Sequence, residues 1–179
     1  MANHRIWAPW RLRYVSTANK QTDCVFCAKP QEASEASEAS EASEASSGAV
    51  GGDREALIVH RGKHAYVILN LYPYTSGHLM VAPFEHVGRV QDIEPEVMAE
   101  MMDLAQQAIR KMEEVYSPEG FNLGVNQGRV AGAGVEGHIH LHVVPRWAGD
   151  NNYMPVLADT RVMPQSLEET YDALEGGFS

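Results

Sequence analysis

Three histidines stand at every second position in the segment GHIHLHVVPRW, residues 137–147. Alternation with a period of two is typical of a β-strand, and it places His138, His140 and His142 on one face of that strand. The apolar residues between them would then pack on the other face. A rise of about 3.3 Å per residue separates successive imidazoles by roughly 6–7 Å along the strand. Since packing alone does not call for such a row, the strand is predicted to be functional.

The rest of the chain predicts an α+β fold with an antiparallel sheet of about five strands. Apolar and β-branched runs indicate strands over residues 56–62, 65–70, 78–83, 121–126 and 138–144. Residues 92–116 predict one long helix, with Asp92 as its cap and Pro95 in its first turn. Its buried face is predicted from residues at helical spacing, namely Val97, Met101, Leu104, Ala108, Met112 and Val115. A short C-terminal helix is predicted over residues 166–175.

Length and charge narrow the class of protein. With 179 residues the chain predicts a single domain over 1–179, and its net charge of −10 argues against a duplex nucleic acid partner. No apolar run approaches the ~20 residues that span a bilayer, and no secretory signal is recognisable, so a cytoplasmic protein without a membrane partner is expected. The predicted divisions are an N-terminal segment, an acidic insertion, a core and a C-terminal extension, at 1–30, 31–53, 54–147 and 148–179.

The insertion contains five copies of the tripeptide Glu-Ala-Ser, residues 32–46. Alanine and glutamate favour a helix, but glutamate at every third position stacks like charges on one helix face. The stretch also lacks an apolar stripe that could offset the entropy of ordering. Residues 31–53 are therefore predicted to be a mobile acidic insertion.

Two cysteines in the segment CVFC, Cys24 and Cys27, suggest either half of a zinc site or a redox pair. The redox interpretation is less favoured, because no thioredoxin-like βαβ pattern follows the motif. A four-coordinate Cys₂His₂ zinc site would take two further ligands from histidines. Spacing alone does not choose among six candidates, which are His64, His78, His86, His138, His140 and His142.

The histidine row itself has two chemical interpretations. It could bind a catalytic metal directly, or its middle member could be a covalent nucleophile oriented by its neighbours. The glycine-rich segment GVNQGRVAGAGVEGH, residues 124–138, precedes the row and could present backbone N–H groups to a bulky anion. It is not a Walker A loop. A glycine-rich turn beside a histidine row suggests phosphate chemistry, with a phosphoramidate formed on an imidazole.

GHIHLHVVPRW resembles the motif of the histidine triad (HIT) superfamily, and residues 68–83 are similar to the family's second block. The resemblance covers nearly the whole chain except the Glu-Ala-Ser insertion. Within the superfamily, the chain looks most like bacterial diadenosine tetraphosphate phosphorylases and their close relatives. The resemblance implies a phosphorylase or hydrolase that acts on adenine dinucleoside polyphosphates and forms a homodimer. Two alternatives are a nucleotide-binding regulatory protein with little turnover and a nucleoside phosphoramidate hydrolase.

The resemblance also implies roles for individual residues. His140 would attack the α-phosphate of an adenine nucleotide and become adenylylated, while His142 would hydrogen-bond the phosphoryl oxygens or the leaving group. Gln127, in the stretch NQG, would hold a phosphate or bridging oxygen, and Asn70 would bind the sugar hydroxyls. Leu69 and Leu71 would lie near the base. Backbone N–H groups near Gly134 would contact the phosphate.

In zinc-containing members of the family the metal site corresponds here to Cys24, Cys27, His86 and His138. The implied zinc would be structural, because four protein ligands leave no open position for water. It would clamp the start of the strand that carries His140. The nucleophile's other ring nitrogen is expected to donate to a backbone carbonyl, which fixes the tautomer.

The N-terminal segment RIWAPWRLRYV, residues 5–15, interleaves aromatic side chains with arginines. Stacking on the distal half of a dinucleotide is one interpretation of this pattern. Packing against the body of the protein or a partner subunit is the favoured one.

Overall fold

A computed structural model describes residues 24–42, 52–150 and 165–178. Its helices are α1 (Val25–Ala42), α2 (Gly52–Ala56), α3 (Pro95–Tyr116) and α4 (Leu167–Leu174). Its strands are β1 (Ile58–Arg61), β2 (Ala65–Leu69), β3 (Leu79–Pro83), β4 (Gly120–Val125) and β5 (Leu141–Arg146). Short 3-10 turns cover Val90–Asp92 and Arg129–Ala131. The predicted α+β class with five strands is confirmed, whereas the N-terminal Trp/Arg segment lies outside the described residues.

The five strands form one antiparallel sheet in the order β1-β2-β3-β5-β4. β5, which continues from the histidine row, pairs with β3 on one side and β4 on the other. In this register His142 lies opposite Met80 of β3 and opposite Gly124 of β4. From Leu141 to Val143 the predicted functional strand is therefore held along both edges by backbone hydrogen bonds, which gives the histidine row a rigid support.

Helix α3 covers one face of the sheet with the side chains predicted from its periodicity. Val97, Met101, Leu104, Ala108 and Met112 are all buried, but Val115 is 38% exposed, so its predicted burial is wrong. The helix begins at Pro95 with Glu94 as its N-cap, and Asp92 ends a separate 3-10 turn instead of capping α3. Proline is well suited to the first helical position because its fixed φ matches the helix and its missing N–H is not needed there.

Helix α4 completes the same face near the C-terminus. Its N-cap Ser166 and Glu169 form a reciprocal capping box, which satisfies two backbone N–H groups at the start of the helix. Tyr171 and Leu174 are buried, and the Tyr171 hydroxyl donates to the Ile58 carbonyl at 3.1 Å. This bond ties the C-terminal helix to the first strand.

The opposite face of the sheet carries a second, smaller apolar cluster: Phe26, Ala33, Ile58, Tyr66, Ile68, Met80 and Ala82. Phe26 and Ala33 belong to α1, so this helix packs on the face that also presents the histidine row. The main chain of α1 is further tied down by the Tyr66 hydroxyl, which donates to the Phe26 carbonyl at 2.8 Å. The N-terminal turn of α1 is therefore a wall of the histidine site.

The Glu-Ala-Ser repeat differs from its prediction where the structure describes it. Residues 31–42 continue α1 as a helix, and Gly52 begins α2, although a mobile insertion was predicted over 31–53. Ala33 of the first repeat is buried, and a Cβ at Gly52 would meet its backbone. Because the helix is already nucleated and docked upstream, the repeat extends it at small entropic cost. The proposed division of the chain into segments stays a prediction.

Within the described residues, no helix combines the length and the apolar character that crossing a bilayer requires.

Candidate active site and metal centre

The three histidines lie on one face as predicted, but β5 begins at Leu141 and not at residue 138, so only His142 lies in the strand and His138 and His140 lie just before it. His138 and His140 are buried and His142 is half-buried, on the face shared with Met80 and Phe26. The apolar residues between them join the core under α3, namely Ile139, Leu141 and Val143. The ring centroids of His140 and His142 are 4.9 Å apart at an interplanar angle of 76°. They are closer than the strand rise predicts because the two rings lean together edge to face.

One edge of His140 is fixed by its own strand. Its Nδ1 lies 2.9 Å from the His138 carbonyl oxygen in a buried hydrogen bond, as predicted. A carbonyl oxygen can only accept, so Nδ1 carries the proton and Nε2 is left with a free lone pair. Burial lowers the pKa of His140, and the bond to the His138 carbonyl opposes that shift only partly. The ring is therefore a neutral imidazole at neutral pH, with Nε2 unprotonated.

His142 is oriented by a fourth histidine, His78, which is 1% exposed and directly precedes β3. The backbone N–H of Tyr74 donates to His78 Nδ1 at 3.1 Å, which places the proton of a neutral His78 on Nε2. His78 Nε2 then donates to His142 Nδ1 at 3.0 Å. The consequence is that His142 presents Nε2–H as a hydrogen-bond donor.

The four predicted zinc ligands converge in the structure. Cys24, Cys27, His86 and His138 each offer one ligand atom, and these atoms lie within 4.8 Å of one another. The Sγ atoms of Cys24 and Cys27 are 3.4 and 3.5 Å from His138 Nδ1, and Cys27 Sγ is 3.3 Å from His86 Nδ1. Tetrahedral zinc, with bonds of about 2.3 Å to sulfur and 2.0–2.1 Å to nitrogen, separates sulfur from nitrogen by about 3.5 Å. These four residues, which we call the metal cluster, fit zinc in both chemistry and spacing.

A second hydrogen bond prepares His138 as a ligand. Its Nε2 donates to the Pro83 carbonyl at 2.9 Å in a buried environment, which leaves Nδ1 unprotonated toward the two sulfurs. Of the three row histidines, His138 alone belongs to the metal cluster among the described residues. Within the row, His138 therefore faces the cysteines, whereas His140 and His142 are not part of the metal cluster.

The thiol of Cys27 is not poised for redox chemistry. Burial and the neighbouring Cys24 raise the pKa of Cys27 to about 11, so the isolated thiol is protonated at neutral pH. Reactive redox cysteines have lowered pKa values instead. A bound cation would displace the proton, which is the usual behaviour of a metal-binding cysteine. The redox interpretation of CVFC is therefore disfavoured.

The glycine-rich segment forms a turn beside the row. Gly128 and Gly132 adopt φ values of +83° and +93°, which favour glycine, on either side of the Arg129–Ala131 turn. Gln127 is exposed, and its side-chain oxygen accepts from the Val90 backbone N–H at 2.8 Å. Its amide group remains as a donor. Gly134 is half-buried in the following loop.

Of the three residues expected to contact the nucleoside, two are accessible from the surface and one is buried in the core. Asn70 is half-buried at the end of β2, and its side-chain oxygen accepts from the Tyr72 N–H at 2.9 Å. Leu71 is 50% exposed in the same loop, as a surface contact requires. Leu69 is buried in the core under α3, on the face opposite the histidine row. Its predicted contact with the base is not supported by this placement.

Two residues of the site were not predicted as such. His78 was considered only as one of six metal candidates, and Phe26 was not singled out. The ring of Phe26 stacks on His140, with centroids 4.6 Å apart and an interplanar angle of 27°. The position of Phe26 between the two cysteines was the available signal, since a residue inside a metal-binding turn must lie beside the metal cluster.

Comparison with known proteins agrees with this geometry. The HIT domain family model matches residues 52–149. An AP-4-A phosphorylase of Mycobacterium tuberculosis is 40% identical over 166 residues, which cover 93% of this chain and 80% of that protein. An asymmetrical bis(5'-nucleosyl)-tetraphosphatase of Schizosaccharomyces pombe is 30% identical over 93 residues, covering 52% of this chain and 50% of the relative. The crystal structure of a zinc-bound histidine triad family protein from Mycobacterium smegmatis superposes with a TM-score of 0.56 and 33% identity, covering 68% of this chain and 82% of that one.

The chain therefore belongs to the HIT domain family. The prediction of a family enzyme is confirmed by the phosphorylase and tetraphosphatase relatives.

Proposed function

We propose that the protein cleaves adenine dinucleoside polyphosphates, such as diadenosine tetraphosphate, through an adenylylated His140. The observation that carries this proposal is the buried bond from His140 Nδ1 to the His138 carbonyl at 2.9 Å, which leaves Nε2 free to attack. The adenine substrate class is supported by the 40% identity to an AP-4-A phosphorylase along 93% of the chain.

In the first step, the Nε2 lone pair of His140 attacks the α-phosphorus in line with the bridging oxygen. A nitrogen–phosphorus bond forms, and the bond to the bridging oxygen breaks with its electron pair on the departing nucleotide. The ring then carries positive charge, which the His138 carbonyl at Nδ1 stabilises through its hydrogen bond. For diadenosine tetraphosphate, the departing nucleotide is ATP and AMP stays on the histidine.

The proposed role of His142 is to hydrogen-bond the phosphoryl oxygens or the leaving oxygen through Nε2–H. This role is supported by the relay from Tyr74 through His78, which fixes the tautomer that donates. A donor that is already oriented costs no reorganisation when charge develops on oxygen. Gln127 adds a second donor through its amide group, since its side-chain oxygen is already engaged by Val90.

The nucleoside is proposed to bind beside the β2–β3 loop. Asn70, half-buried at the end of β2, would contact the sugar hydroxyls, and the exposed Leu71 would contact the base. Backbone N–H groups near Gly134 would contact the phosphates where the loop carries no long polar side chain. Leu69 is not part of this proposal, because its side chain lies in the core under α3.

Zinc is the proposed occupant of the metal cluster, held by Cys24, Cys27, His86 and His138. It would supply a fixed crosslink between the start of α1 and the segment that leads into β5. The four protein ligands leave no position for water, so the ion would be structural. The protein's own contribution is the Pro83 carbonyl, which orients the His138 ring toward the sulfurs.

Inorganic phosphate is the proposed acceptor in the second step, in which it attacks the adenylyl group and restores neutral His140. We expect diadenosine tetraphosphate to yield ATP and ADP with phosphate present, and the nucleotide products can be separated by ion-exchange chromatography. ATP with AMP under the same conditions would identify water as the acceptor instead. Binding without any cleavage would contradict the enzymatic proposal and favour a regulatory nucleotide-binding protein.

Replacing His78 tests the relay to His142. His78→Leu removes the donor to His142 Nδ1, and we expect kcat to fall by about 10–100-fold, which is less than the about 10²–10³-fold cost of deleting a charge-stabilising donor outright. His78→Gln keeps an amide that can donate, so it should retain more activity than the leucine variant. Steady-state kinetics on both variants, with melting temperatures as a check on folding, decides the matter. Equal rates for wild type and the leucine variant would exclude the relay.

We also propose a homodimer in a reducing compartment such as the cytoplasm. β4 is an edge strand, and its side chain Leu123 is exposed. An open edge with apolar neighbours is usually covered in a stable protein. Sedimentation velocity measures the oligomeric state directly.

The reducing compartment is supported by the free cysteine pair, which must stay reduced to bind a metal.

A further inference from the structure

The ring of Phe26 lies between the metal cluster and the imidazole of His140. It stacks on His140 at a centroid distance of 4.6 Å, and it also contacts the ring of His138 at 5.3 Å. Phe26 is 4% exposed, and His140 is 5% exposed. The side chain therefore fills the space between the metal cluster and the proposed nucleophile.

The backbone of Phe26 is held more firmly than ordinary packing requires. Its carbonyl accepts from the Tyr66 hydroxyl at 2.8 Å, and Tyr66 is fully buried on β2, an interior strand of the sheet. On either side of it, Cys24 and Cys27 belong to the metal cluster, and the N–H of Cys27 donates to the Cys24 carbonyl at 2.9 Å. A ring carried on such a turn has a fixed position relative to the sheet.

His140, by contrast, needs a partner for its ring plane. The bond from Nδ1 to the His138 carbonyl fixes the tautomer and holds the ring at one atom, so rotation of the ring plane is limited by what packs against it. Rotation would move Nε2, the attacking atom, away from the line of the bridging oxygen. Among the described residues, the aromatic rings in contact with the His140 ring are Phe26 on its face and His142 at its edge.

We infer that Phe26 is a positioning residue, which holds the His140 imidazole in the plane required for attack. The expected effect on rate rests on the proposed function, whereas the position of the Phe26 ring against His140 can be tested without any activity. A displacement of about 1 Å at a reacting atom can cost about 10²-fold in rate. Phe26 is thus expected to act on kcat, through His140, and not on substrate affinity.

The test compares two phenylalanine-to-leucine variants of the full-length, zinc-loaded protein. Phe26→Leu keeps an apolar side chain but removes the stacked ring, and Phe84→Leu is the matched control. Phe84 packs on the same apolar cluster and stacks on Tyr66 at 5.1 Å. We expect Phe26→Leu to lower kcat by about 10²-fold with KM within about twofold. Phe26→Tyr should restore most of kcat, and Phe84→Leu should stay near the wild-type rate.

A second readout does not depend on turnover. In the wild-type protein, the ring current of Phe26 is expected to shift the His140 ring protons upfield, and NMR with labelled histidine should show them moving downfield in Phe26→Leu. Phe84→Leu should leave them in place, and zinc content should stay at one per chain in both variants. If wild type fails to cleave the substrate, the proposed function fails, while these proton shifts still test the position of the ring. Unshifted His140 protons, an unchanged kcat, a change confined to KM, or loss of zinc from Phe26→Leu would each overturn the inference.

Discussion

Diadenosine tetraphosphate cleavage is expected to fall by about 10⁴-fold or more when His140 is replaced by alanine. The reason is that the variant lacks the atom that forms the bond to phosphorus, and removing a covalent nucleophile costs several powers of ten in kcat. Binding should survive, because the proposed contacts of Asn70, Leu71 and Gln127 remain. The measurement is kcat by product analysis, together with the dissociation constant of a non-cleavable analogue.

His64→Ala is the matched control for this experiment. His64 lies at the turn between β1 and β2, where its Nε2 is 3.2 Å from Glu96, and it takes no part in the histidine row. It should keep the wild-type rate. A His140→Ala variant that retains more than about a tenth of the wild-type rate would show that no single imidazole carries the chemistry.

Loss of the metal cluster is expected to have the second largest effect. Wild type should bind one zinc per chain, and the Cys24→Ser/Cys27→Ser variant should bind none, because hydroxyls replace both thiolates. Binding at a thousandfold excess over Kd contributes about 4 kcal/mol to stability. A chain of this length loses about 2–4 °C in Tm per kcal/mol, so the fall in Tm is expected to be on the order of 10 °C. Metal analysis and thermal unfolding check both parts.

A pair of histidine variants sharpens this prediction. His86 is exposed, so His86→Ala should weaken zinc binding without opening a cavity, and His64→Ala should leave it unchanged. The discriminating result concerns the cysteine variant. A full equivalent of metal retained without the two thiols would mean that other histidines of the row hold the ion, as in the metallohydrolase interpretation.

The period of the sequence was sufficient to predict the histidine face, because strand alternation is a local property. It placed His138, His140 and His142 on one side and Ile139, Leu141 and Val143 in the core, and the structure agrees. The same rule argues against Leu69 at the base. Leu69 follows Ala65 and Val67 at even spacing, and all three face α3. The contact with the base that the resemblance implied for Leu69 did not take account of which face of β2 this residue occupies.

What the sequence could not provide were contacts between distant segments. The bond between His78 and His142 depends on the loop before β3 and the register of β3 with β5, and neither is readable from either segment alone. The stack of Phe26 on His140 requires α1 to dock on the far face of the sheet. The docking of α1 also explains why the first Glu-Ala-Ser repeat is helical. The prediction of a mobile segment considered only like charges within the repeat, and it did not include the packing of Ala33 against Gly52.

The central claim is a transient bond between His140 and phosphorus, and a trapped intermediate tests it most directly. Wild-type protein is mixed with diadenosine tetraphosphate labelled in the α-phosphate, quenched within milliseconds and digested, and the labelled peptide is identified by mass spectrometry. The account predicts an acid-labile, base-stable AMP adduct on the peptide that contains His140, formed and consumed at rates compatible with kcat. Normal turnover with no adduct on that peptide, at times when the intermediate should accumulate, would contradict it.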